Sequence, residues 1–351
     1  MTTPETSPDT AHGTPVQAAG NHSAGTGDTS ASAGSIFMAA DDRVPQSTGE
    51  QASGVPYRRT PLHRLARIAR TEHLARLARA DLLAASGAVV LVVIVLAALA
   101  APLISPYPAD GTTATHPLQT LLPPSGTHWF GTDGVGRDVF TRVLYGARTS
   151  LTIAFAVLSI SAVIGVLLGV IAGYAGGLVK DVIMRITDVF LAFPALLLSV
   201  ALVTVLRPGM QGAIIAITAA WWPWYARMAA VAATSIRGRG FIDAARCLGV
   251  SRVRIVTRHV LPNSLTPVLV QLSLDAGGVI LTAAALSYLG LGPQEPTSEW
   301  GLMVQQGQSL FTTDWWVVTF PGLAIVIAAF CFNVLGEGLR AALDPRREIT
   351  R

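Results

Sequence analysis

Few side chains in this sequence are placed to make or break bonds. The seven histidines, His12, His22, His63, His73, His116, His128 and His259, all fall outside the long apolar runs. No HExxH zinc motif occurs, and a buried Ser–His pair is hard to assemble from these positions. The single lysine, Lys180, is followed by Asp181, so no Gly-Lys-Ser/Thr loop exists to hold nucleotide phosphates. Gly134-Val135-Gly136 lacks a glycine at position 139 and a strand before it, which removes a dinucleotide reading. Cys247 and Cys331 support neither a disulfide framework nor a metal site. What remains is an acid inside an apolar run, Asp275, and an aromatic group, Trp221, Trp222, Trp224 and Tyr225, around Pro223. An intramembrane ionisable residue is a functional candidate by default. Asp275 would suit a proton-coupled carrier for small solutes, yet a lone acid makes a poor relay and equally suits a bond to a neighbouring helix. The aromatic group suits an interfacial belt or the lining of a solute path.

A second kind of chemistry, docking, is written in the stretch FIDAARCLGVSRVRIVTRHVLPN at positions 241–263. Residues 241–248 read as a short helix with Asp243 in its first turn, where the helix dipole favours a carboxylate. Gly249 is placed to take the left-handed conformation that closes a helix and redirects the chain. Ser251 is placed to cap a second helix, with Val253, Val256 and Val260 on one face, Arg252, Arg254 and Arg258 elsewhere, and Pro262 at its end. Ala244 and Ala245 give the first helix a small-sided face able to enter a groove on another protein.

These residues must be held by elements suited to lipid. Hydrophobic residues make up 51% of the 351 and charged residues only 13%, with a mean hydropathy of +0.50, which excludes a water-solvated globular surface. The net charge of +4 does not point to nucleic acid, because the basic residues alternate with apolar runs. A helix needs about 20 apolar residues to cross a bilayer, and six stretches approach that length: 82–104, 151–173, 189–206, 212–233, 268–291 and 317–335. The expected fold is all-α, a polytopic membrane protein with six transmembrane helices. Pro194 and Pro223 are expected to bend or interrupt their stretches, and Gly165, Gly169 and Gly173 form a small-residue ridge for close helix packing. Residues 1–56, rich in Ser, Thr, Gly, Ala and Pro, read as a disordered cytoplasmic tail, and 57–81 as a basic juxtamembrane helix facing anionic membrane lipid. The remainder, 82–351, forms the transmembrane domain, with an outer segment at 105–150 and a cytoplasmic loop at 234–263. In the outer segment, Val139, Phe140, Val143 and Leu144 suit one face of a short surface helix. With the N-terminus inside, the inner segments hold twenty-one Arg and Lys against four outside, which places both termini and the arginine-rich insert in the cytoplasm.

Asp243-Ala244-Ala245, then Gly249, then Leu261-Pro262 resembles the EAA motif of the membrane subunits of bacterial ABC importers, with Asp in place of the motif's Glu. HWFGTDGVGRDVFTRVLYGARTSL (128–151), SYLGLG (287–292), EWGLM (299–303) and FNVLGEGLRAALDPR (332–346) are similar to the C-type permease subunit of dipeptide, oligopeptide and nickel importers. Where many relatives carry an acid in the fifth span, this chain has Ala283, with Asp275 two turns earlier. The resemblance implies a bacterial inner-membrane permease, not an enzyme, that forms half of a path for di- or oligopeptides. Nickel chelates and glutathione remain alternative solutes. It further implies a B-type permease partner, two ATP-binding subunits that carry ATP and magnesium, and an external solute-binding protein, with no cofactor in this chain and no nucleic acid. Asp243, Ala244, Ala245, Gly249, Leu261 and Pro262 would couple to the ATPases, and Trp222, Trp224, Tyr225 and Asp275 are the candidates for the path.

Overall fold

A computed structural model describes residues 82–343, with side chains from 84 to 341. The chain divides into two units, 1–60 and 61–351, and the described residues lie in the second. The expected tail at 1–56 and the juxtamembrane helix at 57–81 fall outside them. Among the described residues the fold is helical, and the one extended pairing is an isolated bridge between Thr132 and Asp138.

The chain enters through α1 (Leu82–Leu99), an uncharged run of Leu, Ala and Val. A looping segment follows, with short turns at Ala101–Ile104, Pro108–Gly111 and Pro117–Gln119. It delivers the chain to α2 (Val139–Ala175), whose first turn is capped by Asp138: its side chain accepts the Thr141 N–H at 2.8 Å. With no breaker inside it, α2 runs for 37 residues, about 55 Å at the helical rise per residue. Val139, Phe140, Val143 and Leu144 are therefore the opening turns of this helix and not a separate surface helix, so the looping segment ends at 138. Within those turns Arg142 is buried in an ionic network, described below, and Arg148 is exposed.

At Gly176 (φ +70°) and Gly177 (φ +52°) the chain turns into α3 (Gly177–Leu191). Pro194 then interrupts the third apolar stretch as expected, and α4 (Ala195–Leu206) leaves at 90° to α3. Pro223 does not interrupt the fourth: α5 (Met210–Arg237) is continuous through it. After the insert come α7 (Arg252–Tyr288), α8 (Trp300–Gly307) and α9 (Trp316–Leu343), with α6 (Gly240–Cys247) within the insert itself. The six apolar stretches thus lie in α1, α2, α3–α4, α5, α7 and α9. By length and apolarity, three helices qualify to cross a bilayer (α2, α7 and the Trp316–Ala341 part of α9), or four if α3 and α4 form one bent span.

The glycine ridge works as its spacing implies. A Cβ at Gly165 would lie 2.6 Å from the Trp222 carbonyl, and one at Gly169 or Gly173 would collide with the carbonyls of Ala226 and Ala230, so α2 and α5 touch backbone to backbone. On the other side of α2, Val163, Leu167 and Ile171 are exposed at helical spacing, the inverse of a water-soluble helix and suited to acyl chains. Ile153, Val157, Val203, Ile217, Val279, Ile280 and Trp300 form the central core. A second core, nearer the insert, gathers Val170, Tyr225, Ile236, Ile242, Ile255 and Val260.

Candidate functional site

The insert is built on that second core. At the end of α5, Arg237 Nη1 donates to the Tyr174 carbonyl at 3.1 Å and ties the helix to the far end of α2. Ile242, wholly buried, then pins α6 down. The exit from α6 is a complete Schellman turn: the Gly249 N–H donates to the Arg246 carbonyl at 3.0 Å and the Val250 N–H to the Ala245 carbonyl at 3.1 Å, with Gly249 at φ +77°. Asp243 lies in the first turn as expected, and its carboxylate accepts from Arg246 Nη1 at 3.0 Å. Both groups are exposed, so the pair contributes less than about 1 kcal/mol. Ala244 and Ala245 do not share a face. Ala245 packs inward against the core, whereas Ala244 is exposed between Phe241 (46% exposed) and Leu248 (84%). Positions 241, 244 and 248 fall on one side of α6 and make an exposed apolar strip, with Asp243 and Arg246 exposed on another side.

The second half of the insert departs from expectation. Ser251 occupies the cap position of α7, but its side chain makes no capping bond. Val253 is 73% exposed, whereas Val256 and Val260 do face the core, joined there by the buried Ile255. The helix does not stop at Pro262; it passes through a π-turn at Val256–Val260 and continues to Tyr288. A π-turn takes one extra residue, so Ile255 and Val260, five apart, both face the core, and Ser264 and Val268 follow at ordinary spacing. The missing N–H of Pro262 falls directly after the turn, where the ladder is already changing register. Leu261 is half-buried against the same core and Pro262 is exposed.

The candidate path residues separate into three environments. Tyr225 is fully buried, and its hydroxyl donates to Asp275 Oδ2 at 2.9 Å while Gln271 Nε2 donates to Oδ1 at 2.8 Å. Asp275 therefore bonds across from α7 to α5. Trp222 is buried edge-on to Phe190 of α3, with ring centroids 5.4 Å apart, and Trp224 is exposed. These rings do not make one continuous aromatic surface.

At the end of α2 remote from the insert, the structure assembles a network that spacing alone did not reveal. Asp133 Oδ1 accepts the backbone N–H groups of Val135 and Arg137, both at 2.9 Å, and Oδ2 accepts Arg137 Nε at 2.8 Å and Arg142 Nη1 at 2.5 Å. Burial pushes the Asp133 carboxyl up, but the Arg142 and Arg137 charges and these hydrogen bonds outweigh it and hold the group below the usual aspartate range. Arg137 Nη2 reaches Glu295 at 3.0 Å and Arg142 Nε reaches Ser298 at 3.4 Å, so the loop before α8 is stitched to the loop before α2. EWGLM resolves into packing chemistry. Glu299 caps α8 through the Leu302 N–H at 2.8 Å and accepts the Ser150 hydroxyl at 2.8 Å; Trp300 Nε1 donates to the Val143 carbonyl at 2.9 Å. Gly301 sits where a Cβ would strike the backbone of Ala284. The cue in the sequence was the clustering of Asp133, Arg137, Asp138 and Arg142 within ten residues.

A helical bundle with lipid-suited outer faces, a half-buried acid bonded between two of its apolar helices and a helical insert of mixed charge defines a membrane transport subunit. The match extends to a family: residues 165–349 fit the model described as binding-protein-dependent transport system inner membrane component, and residues 76–124 fit the N-terminal TM domain of oligopeptide transport permease C. Over 264 residues the chain is 43% identical to a dipeptide transport system permease protein of Alkalihalophilus pseudofirmus, covering 75% of this chain and 86% of that one. It is 41% identical to a probable D,D-dipeptide transport system permease protein of Escherichia coli, covering 75% and 88%. It is 40% identical to an oligopeptide transport system permease protein of Bacillus subtilis, covering 76% and 87%. Among solved structures, an inward-facing methionine ABC transporter aligns at 21% identity and a TM-score of 0.48, over 58% of this chain and 97% of that one. The chain belongs to the family of binding-protein-dependent transport system inner membrane components. It is a permease subunit, not an enzyme.

Proposed function

We propose that this chain forms half of the translocation path of an ATP-driven importer for di- or oligopeptides in the bacterial inner membrane. Its partners would be a B-type permease, two ATP-binding subunits and an external solute-binding protein. In this reading the chain crosses the bilayer six times with both termini in the cytoplasm. The names of its relatives support the solute class, and the excess of Arg and Lys on the insert side supports the orientation. Lacking a phosphate-binding loop, the chain draws on ATP and magnesium held by its partners.

The observation that carries the proposal is the α6 surface. A short helix, anchored beneath by Ile242 and closed by a full Schellman turn, presents Phe241, Ala244 and Leu248 outward, with Asp243 beside them. Exposed apolar side chains on a charged loop are costly in water and fit a cleft on a partner. Force applied there reaches α5 and α7 through the second core, since Ile242, Ile255 and Val260 pack in one cluster with Tyr225 and Ile236. ATP-driven closure of the partners would then favour one of two arrangements of the spans. Tyr225, Asp275 and Trp222, with Trp224 beside them, are the candidates to meet solute.

The test is Gly249→Pro. Proline cannot adopt φ +77° and removes the N–H that bonds Arg246, so α6 loses its closing turn. Membrane insertion should be unchanged, while co-purification of the ATP-binding subunits and peptide uptake are lost. Normal uptake in this variant would remove the insert from the mechanism.

A further inference from the structure

A cavity of ≈ 670 Å³ opens at the end of the bundle opposite the insert, among the loop before α2, the loop before α8 and the start of α9. Its walls combine Arg137, Arg142, Asp133 and Glu295 with the amides of Gln294, Gln305, Gln306 and Gln308. The hydrogen-bond inventory there is unbalanced. Asp133 accepts four hydrogen bonds, which fills its capacity. Arg142, only 1% exposed, bonds through Nε and Nη1, but its Nη2 has no acceptor among the described residues. An unmet guanidinium N–H in a buried position is costly, and a charged acceptor would relieve it best.

Gln306 is placed to govern access. Its Oε1 is 3.3 Å from Arg142 Nη1 and its Nε2 donates to Glu295 Oε1 at 2.6 Å, so this amide spans the gap between the buried arginine and the exposed rim. Glu295, the one acid on that rim, is already bound by Arg137 and Gln306. An arriving carboxylate that displaced the Gln306 carbonyl from Nη1 would exchange a neutral acceptor for a charged one, and its second oxygen would give Nη2 the acceptor it lacks.

We infer that this cavity is the docking socket for an acidic side chain on the external solute-binding protein, received by Arg142 when Gln306 swings aside. The inference rests on the importer reading for the existence of that partner. Its position at the end of α2 away from the ATPase-facing insert puts it on the face such a partner would meet. Donor surplus fixes the sign of the charge.

Two substitutions at one position give opposite expectations. In Gln306→Glu the chain supplies its own carboxylate to Arg142, and affinity of the purified complex for the co-purifying binding protein should fall on the order of tenfold or more. In Gln306→Ala the socket stands open, and that affinity should be retained or increased. ATPase subunits should co-purify equally with both, which reports on assembly. Equal affinity in wild type and Gln306→Glu, or equal losses in both variants, would overturn the inference. A second measurement does not depend on either variant: carbodiimide treatment of the docked complex carrying Ser309→Lys should join position 309 to an acidic residue of the binding protein, and a docked complex that yields no such link would overturn the inference. If no external binding protein associates with the wild-type complex, the importer reading fails first and this socket with it.

Discussion

At the scale of single residues, the energetic weight lies where charge is buried. Asp133 is shared by two buried guanidinium groups, of which Arg137 also pairs with Glu295, so Asp133→Asn leaves the buried Arg142 charge without a carboxylate and should cost about 3–5 kcal/mol. Thermal unfolding of the purified subunit, or proteolysis of the 105–138 segment, measures this. The pH dependence follows from the depressed carboxyl. Its stabilisation is complete above the unfolded aspartate value of about 3.9 and is lost as pH falls through the lower folded value, so the wild-type network should be as stable at pH 5 as at pH 7. A difference in melting between wild type and Asp133→Asn that shrinks from pH 7 to pH 5 would contradict the assignment. Tyr225→Phe is a milder case. Hydrogen bonds between membrane helices average about 0.6 kcal/mol and reach about 1.7, and Asp275 retains Gln271 as a donor. Stability should therefore fall by no more than that. A loss of peptide uptake beyond tenfold with the complex still assembled would identify the Tyr225–Asp275 pair as part of the solute path.

The elements show why some features were legible in the sequence and others were not. A ridge at spacing four on α2 could be read directly, because helical period converts spacing into a face. Gly169→Ala should push α2 from α5 and cost about 1–3 kcal/mol, since its Cβ would meet the Ala226 carbonyl. Gly134→Ala, with nothing within 4 Å of the added carbon, should change stability by less than about 0.5 kcal/mol. Comparing the two melts tests the backbone contact. The α6 helix and its Gly249 closure were equally readable, since short-range turn chemistry dictates both. Reading failed where a partner in another loop or a local change of winding decided the outcome. Arg142 looked like a loop charge until Asp133 and Ser298 were found around it, and Pro262 looked like a stop until the π-turn had displaced the bonding ladder ahead of it.

For the molecule as a whole, the two natural cysteines offer a test of orientation that needs no new residue. Cys247, exposed at the end of α6, should react with a membrane-impermeant maleimide in inside-out vesicles and stay silent in intact cells, while buried Cys331 stays silent in both. Labelling of Cys247 from outside would invert the proposed topology. Composition was enough to announce a helical protein with faces suited to lipid, and the placement of arginines supplies the orientation that this labelling tests. What the sequence concealed was how far the loops before α2 and α8 knit together, because polar stitching between positions more than 150 residues apart leaves no periodic trace. The wide turn at Val256–Val260 has a bearing on this architecture too. Excising one residue from it would return α7 to uniform winding and rotate its first turn, with the attached α6, by roughly 100° about the helix axis. The azimuth of α6 against the spans is thus indexed like a gear tooth. A chain shortened by a single amino acid there should insert, fold its crossings, and aim its transmission at empty cytosol.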